Sequence, residues 1–427
     1  MGDTQRKVEL AQTRLDTISP PQGGWTAEAR AAALVRLQSQ GLPARRDEYW
    51  RYTRPDTLTI ATAPSAVPEQ HSEDGVFEHL DALKIVFVDG IFDPQASDDL
   101  SLDGITIERL ATAAEFDIHW AKPIYGSLEA AGQTPVARPL AAFNTAQASD
   151  GILIDVKSTP SKPVSVIYRH KDAGSDVTLH HVVKVAEDAK LELIESGAAA
   201  ARFNHVLEID IADRGQFHHV RAQGPDHGCR LVTHLFTRLG TESVFKSFTL
   251  GANGLLTRNE CVIELTGDDA VAHVAGAAIG DGDFHHDDTV FITHDALRCE
   301  SRQVFKKVLR NGAVGVFQGK ILVKKDAQKT DGYQISQSLL LDGDSEFLAK
   351  PELEIYADDV VCSHGSTSGA IDDDALFYLR ARGIPVDIAT DLLTLAFLAE
   401  ALHEIESDSL STAVGDRLEA WLAQRRS

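Results

Sequence analysis

Little in this chain announces a simple biochemical class, and each shortage excludes something. It has four cysteines in 427 residues, at positions 229, 261, 299 and 362, with no Cys-x-x-Cys spacing. So dispersed a set suits reduced thiols in a cytosol and argues against a disulfide framework. There is no basic excess: 41 Lys and Arg face 64 Asp and Glu, a formal net charge of −23. A nucleic-acid partner would want a basic stripe, and an anionic membrane surface would want the same sign. Long apolar runs are also missing. The longest, "LLTLAFLAEAL" at 392–402, is too short for a bilayer and carries Glu400. The opening "MGDTQRKVELAQTRLDTISPP" has no apolar core of a secretory leader. These shortages point to a cytoplasmic protein with no membrane and no nucleic-acid partner, long enough for two or three domains.

What is present falls into three zones of different period. The first begins helical: "WTAEARAAALVRLQSQGLP" offers Thr26 as N-cap, an Ala29/Ala33/Leu37 stripe, Gly41 past the end and Pro43 beyond. The polar, aromatic "PARRDEYWRYTRPDTL" follows. A Ser/Pro/Glu-rich connection near 62–75 then leads to "LKIVFVDGIFD" with its Asp89-Gly90 hairpin signal. From about 150 the period becomes two and stays so for some 200 residues. Val177, Leu179, Val183 and Val185 share one strand face, His180 and Lys184 the other; Leu207, Ile209 and Ile211 repeat the pattern. Turn clusters at Asn253-Gly254, Asp268-Asp269 and Asp281-Gly282 punctuate it. Without helical crossovers the choice lies between an antiparallel sandwich or barrel and a β-helix. Many short strands without hairpin turns lean toward the β-helix, and the missing hexapeptide period disfavours its left-handed type. From about 371 the pattern is helical again. Asp372 to Asp374 open one helix that ends at Gly383, Ile388/Leu392/Leu395/Ala399/Leu402 line a second, and Val414/Leu418/Trp421/Leu422 a third.

Several motifs fail on inspection. The run 365–369, "GSTSG", resembles a nucleophile elbow but holds Thr367 at its centre. The run 315–320, "GVFQGK", resembles a phosphate loop, but its glycine spacing is one short and Ile321 replaces the Mg²⁺-binding hydroxyl. No ATP site is expected in this chain. The pairs His180/His181, His218/His219 and His285/His286 are strand neighbours that point to opposite faces, so neither member can join the other on one metal. They read as solvated positions, with a metal role left open around Asp287, Asp288 and His294 in "DFHHDDTVFITH". Cys362 and His364 differ. At i and i+2 of a strand they emerge from one face ~7 Å apart, and thiolate plus imidazole suit iron or zinc. Two ligands are not the four that a cluster or structural zinc takes. Either the pair is inert or another chain completes it.

The segments "RCESRQVFKKVLRNGAVGVFQGKILVKKDAQKTDGYQISQSLLL", "KPELEIYADDVVCSHGSTSG" and "IDDDALFYLRARGI", in this order, closely resemble the SufD family of the SUF iron–sulfur cluster assembly machinery. "ARRDEYWRYT" and "PLAAFNTAQASDGILIDV" resemble its earlier segments, so the likeness covers most of the chain. The sister SufB shares the Gln-Lys-Thr and "LFYLR" features, whereas "CSHG" points to SufD. The small residues of "CSHGSTSG" depart from the family's usual ones, which bears on local packing and leaves His364 in place.

The resemblance implies a mainly β fold: a right-handed parallel β-helix core (149–370) between an N-terminal helical domain with a short strand hairpin (1–148) and a C-terminal helical domain (371–427). It implies pairing with SufB through the β-helix and docking of the ATPase SufC on the C-terminal helices; a homodimer of the isolated chain is left open by the sequence. It implies a non-catalytic scaffold on which His364 and Cys362 help hold a transient Fe–S cluster shared with SufB. A SufB-like sister subunit is the nearest alternative. A β-helix polysaccharide-active enzyme is disfavoured by the low aromatic content, 7%, and a self-contained zinc protein by the ligand count.

Overall fold

A strand with one wholly apolar face is satisfied by stacking on others like it, because its side chains alternate. Val177, Leu179, Val183 and Val185 are all buried, as are Leu207, Ile209 and Ile211. The computed structural model, which describes residues 3–17, 23–68, 75–223, 228–252 and 254–424, stacks these strands into a parallel β-solenoid of about seven turns with helices at either end of the chain. Each coil gives one strand to a ten-stranded sheet and one to a nine-stranded sheet. Register is continuous: Arg202 lies beside Arg230, Arg230 beside Leu256, Leu256 beside His285 and His285 beside Val314, coils of 28, 26, 29 and 29 residues. The antiparallel sandwich and barrel are thereby excluded.

One corner is turned by single residues in the left-handed region. Asp188, Arg214, Glu242, Asp269, Arg298 and Lys329 have φ between 55° and 61°. A non-glycine residue there costs about 1 kcal/mol or more. What holds it is the neighbouring coil: the Arg214 N–H donates to the Thr241 carbonyl at 2.8 Å, and that of Asp269 to Leu297 at 2.9 Å. Arg214 pairs with Asp188 and Arg298 with Asp269, both at 2.7 Å, exposed contacts that water and salt screen and that contribute little to stability. The Asp268-Asp269 and Asp281-Gly282 signals fall at turns. Asn253, and residues 69–74 of the expected connection, lie outside the described residues.

The two ends of the solenoid differ. At the first, Ile91–Phe92 folds back antiparallel on Leu83–Val88 through Asp89-Gly90, and Ile105–Arg109 runs antiparallel to Ile152–Val156. Both sheets thus finish on a reversed strand. At the other end the sheets finish on Glu346–Ile355 and Val361–Gly369, each paired on one side only among the described residues.

Helices cover both outer faces. Over the nine-stranded sheet lies the wholly buried Pro139–Gln147, whose Asn144 amide donates to the Leu179 and Asn204 carbonyls. Ala27–Gln40 starts after Thr26 as expected and stops at Gly41, φ 69°, but Thr26 does not cap it; its hydroxyl instead accepts from Arg30 Nε at 3.1 Å. Over the ten-stranded sheet, Val386–Leu402 and Asp408–Gln424 pack on Phe248, Ala277, Val304 and Val308. Val414, Leu418, Trp421 and Leu422 are buried as anticipated. The expected stripe of Val386–Leu402 is corrected. Its buried residues are Ala389, Thr394, Leu398, Ala401 and Leu402, while Ile388 and Leu392 face outward. This helix is apolar most of the way round, so periodicity alone could not choose its inner side.

The histidine pairs also need correction: they are not solvated. His180, His181, His218, His219 and His286 are all buried, because one face of each strand meets the lumen and the other meets a helical layer. Burial penalises the imidazolium form and pulls His205, His234 and His294 each down to about 4, from an ordinary value near 6.5. Between about pH 6.5 and 4 the unfolded chain therefore binds more protons, and stability falls as pH drops through that window. Burial pushes Glu129 up to about 7, which acts in the opposite sense, but it is one group against three. A net loss on the order of 3 kcal/mol is expected between pH 7 and pH 5. Urea unfolding at the two pH values checks this, and an unchanged midpoint would refute it.

Candidate functional site

Cys362 and His364 lie on the terminal strand Val361–Gly369, in register with Gly332 and Gln334 of Asp331–Leu340. Gly332, Gln334, Ser336 and Ser338 are buried toward the lumen, so residues 362, 364, 366 and 368 take the same side at the mouth of the solenoid. The hydroxyls of Ser366 and Ser368 hydrogen-bond those of Ser336 and Ser338 at 3.1 and 2.5 Å. The elbow-like "GSTSG" is thus strand whose serines tie one coil to the next.

Cys362 packs against the apolar cluster of Ile321, Val323 and Ala327. Gly332 leaves room for it: a Cβ there would sit 3.1 Å from the Cys362 sulfur. Burial pushes the thiol up from its ordinary value, so it is a protonated sulfur at neutral pH until a metal or a cationic neighbour draws the proton off. His364 is exposed and, among the described residues, has no hydrogen-bond or ion-pair partner. The two residues expected to act together do share one face of one strand. One is half-buried and the other free.

Behind this mouth the lumen holds polar groups that alternation did not reveal. Gln334 Nε2 donates to Gln303 Oε1 at 2.9 Å. Deeper, Lys307 bonds Asp288 at 2.6 Å, and Asn259 links Asp288 to Thr233 and Gln223. Deeper still, Glu195 accepts from Tyr168 Oη at 2.6 Å, His219 Nε2 at 2.7 Å and Arg221 Nε at 3.0 Å. Most of these contacts join residues 24 to 31 apart, about one coil, while Lys307–Asp288 and Asn259–Gln223 cross from one sheet to the other at 19 and 36. A coil period of 26 to 32 was the signal that would have brought most of them together.

One trio here, His181, Glu195 and His205, has ligand atoms within 4.8 Å of one another. Its chemistry does not fit a metal. His181 Nδ1 accepts the Ile152 N–H at 2.8 Å, so its proton sits on Nε2, which faces Tyr168 Oη at 2.9 Å. Coordination by that nitrogen would move the proton to Nδ1 and oppose it to the backbone N–H. Both Glu195 oxygens are occupied, and the Arg221 guanidinium would repel a dication. The trio is a satisfied buried network.

The other motifs separate. Asp287 faces outward to Arg258 and Thr53, Asp288 inward to Lys307, and His294 bonds Ser301 at 2.8 Å, so these three do not converge on one ion. "GVFQGK" lies inside the strand Val314–Val323. Its glycines make room for neighbours: a Cβ at Gly319 would come 2.1 Å from Gln334 Nε2, and one at Gly315 2.8 Å from the Lys307 side chain. No helix among the described residues is long and apolar enough to cross a membrane.

Comparison with known proteins accounts for nearly the whole chain. Residues 168–397 match the family described as SUF system FeS cluster assembly, SufBD core domain, and residues 1–161 match the SufBD protein N-terminal region. The chain is 29% identical over 405 residues to the iron–sulfur cluster assembly protein SufD of Escherichia coli K12, covering 90% of each. It is 26% identical to an iron–sulfur cluster assembly SufBD family protein of Synechocystis, over 92% of this chain and 90% of that one. SufD of Bacillus subtilis is 27% identical over 57% of each chain. A solenoid whose terminal strand bears the Cys-Ser-His-Gly run thus comes with sequence kinship along its length, and the chain belongs to the SufBD family of SUF-system iron–sulfur cluster assembly proteins.

Proposed function

We propose that this protein is a non-catalytic scaffold subunit that offers half a binding site for a nascent iron–sulfur cluster. The supporting observation is the open terminal coil, which carries Cys362 and His364 beside backbone edges that no strand among the described residues pairs with. Unpaired edges template association, and a SufB chain laid against this one would bring further ligands to the exposed imidazole. The cluster is cargo. Fewer ligands per chain and a protonated thiol suit a site that must let it go, because metal release accompanies reprotonation of the ligands. The working division is 1–148, 149–370 as the coil and 371–427 as the docking domain, in a cytoplasmic complex.

SufC docking is assigned to the C-terminal helices. Asp373–Ala381 has no buried residue: Phe377 is 73% exposed, and Ile388 and Leu392 on the adjoining Val386–Leu402 are exposed too, a surface of apolar side chains on two neighbouring helices. Such patches mark interaction sites. Phe377→Asp is expected to weaken SufC capture at least tenfold while SufB still co-purifies. Equal capture by both proteins would sink the assignment. The central test is purification of the tagged chain from its native host. SufB, SufC and iron should travel with it, and their absence would remove the proposal.

A further inference from the structure

The strand pair that carries the candidate site has three polar rungs on its lumenal side: Gln334 beside His364, Ser336 beside Ser366 and Ser338 beside Ser368. The two serine rungs are closed by hydrogen bonds between their hydroxyls. The third is open. Among the described residues His364 is exposed without a hydrogen-bond partner, and Gln334 Oε1, one rung behind it, is buried without one.

Gln334 is in register with Gln303 on its other side, and its Nε2 donates to Gln303 Oε1 at 2.9 Å. Stacked side-chain amides in a parallel sheet form such ladders, each donating to one neighbour and accepting from the next. With its donor committed to Gln303, Gln334 keeps its acceptor for the following rung, which is His364. The other end of the ladder stops for a plain reason. Gln303 Nε2 also lacks a partner, but the rung behind it is Val274, whose side chain has no acceptor. The Gln334 amide is held where it lies. It is fully buried and rests against Gly319 of Val314–Val323, where a Cβ would come 2.1 Å from Nε2 and 2.7 Å from the amide carbon.

An imidazole that binds metal through one nitrogen carries its proton on the other. That N–H ordinarily meets a fixed acceptor, which sets the plane of the ring and raises its strength as a ligand. Neighbouring rungs lie ~4.8 Å apart, so a rotation of the exposed His364 side chain is enough to bring a ring N–H to a hydrogen-bonding distance from Gln334 Oε1. We propose that Gln334 is the positioning residue of His364: as the ring takes a cluster iron through one nitrogen, the other donates its N–H to Gln334 Oε1. This rests on the scaffold reading, in which His364 is a ligand, and adds the group that aims it. Gln334 touches no iron. The orphaned oxygen, which costs about 1–3 kcal/mol while it accepts nothing, is satisfied as the cargo arrives, so the free chain holds the rung open and the loaded chain closes it.

Anaerobic reconstitution of the assembled complex with wild-type chain, Gln334→Met, Gln334→Glu and His364→Ala tests it. Gln334→Met keeps the length of the side chain and removes the acceptor; iron and sulfide per complex should fall about tenfold. Gln334→Glu keeps an oxygen on the same rung, and Gln303 can turn its spare Nε2 to the new carboxylate. That variant should hold at least half of the wild-type content, with its cluster reduced at a lower potential, since an anionic acceptor makes the ring a stronger ligand. A glutamine that only filled the lumen would give the opposite order, because a buried carboxylate disturbs packing more than a thioether does. Wild-type content in Gln334→Met, or a larger loss in Gln334→Glu than in Gln334→Met, would overturn the inference while His364→Ala stays poor in cluster. Wild-type content in His364→Ala would instead overturn the scaffold reading, and this inference with it. Should melting curves show that Gln334→Met does not fold, Gln334→Glu decides alone: an unchanged or higher potential would overturn the proposal.

Discussion

Replacing His364 with alanine is expected to reduce cluster build-up on the assembled complex at least tenfold while leaving the chain folded and its partners bound. The two halves of this expectation rest on different observations. Among the described residues the His364 side chain is exposed and contacts no hydrogen-bond or ionic partner, so removing it should change unfolding free energy by no more than about 0.5 kcal/mol. Its backbone pairs in register with Gln334 regardless of side chain, so the edge offered to a partner is unaltered. What is lost is the one imidazole at the mouth, and a site already short of ligands has none to spare. Cys362→Ala should be milder for the cluster and more costly for the fold, about 1 kcal/mol, because its sulfur fills space beside Ile321 and Gly332. The measurement is iron and sulfide content, with the visible absorption of the cluster, after anaerobic reconstitution of wild-type and variant complexes. Normal cluster content in the His364→Ala complex would remove this residue from the site.

The largest stability effect is expected at Arg258→Ala, about 3–5 kcal/mol. Arg258 is buried between Asp287 and Glu260 and lies over Trp50. Burial acts to raise the Glu260 carboxyl, but Arg258, His234 and Arg138 outweigh it and hold it down at about 2. Deleting the guanidinium leaves the Asp287 and Glu260 carboxylates under the N-terminal helical layer without the cation they share, Arg138 remaining 3.0 Å from Glu260 and the Thr53 hydroxyl on Asp287. The cost of an unpaired buried charge exceeds the worth of the pair itself. The double variant Arg258→Met/Asp287→Asn should therefore recover at least half of the loss. Urea unfolding of the wild type and both variants decides it. A loss below 1 kcal/mol at Arg258→Ala, or no recovery in the double variant, would refute the account.

How much of this was legible in advance follows from which interactions are local. The alternation of Val177, Leu179, Val183 and Val185 displayed a buried strand face, and Asp89-Gly90 displayed a hairpin, because both are properties of neighbours in sequence. The parallel stacking was inferred from missing crossovers, and the turns gave little help. The corner that ordinarily calls for glycine is filled by Asp188, Arg214, Glu242 and their counterparts, whose conformation is enforced by the next coil. The buried histidines misled for the same reason: a polar residue in a strand reads as solvated until the second layer is placed over it. Cys362 and His364 were legible as a same-face pair because i and i+2 is a local relation. Gln334, Lys307 and the Glu195 network were not, since their partners sit 19 to 31 residues away. In a coiled chain the natural ruler is the turn of the coil.

The two unlike extremities of the solenoid set its valence. One extremity ends on short reversed strands of two and five residues, the opposite one on parallel strands of ten and nine that offer a longer edge. A rod with two adhesive tips polymerises, and a rod with one can only form a closed couple. A chain that paired only through the longer-edged tip would stop growing after a single union, with any cargo held there enclosed between two bodies and not threaded along a fibre.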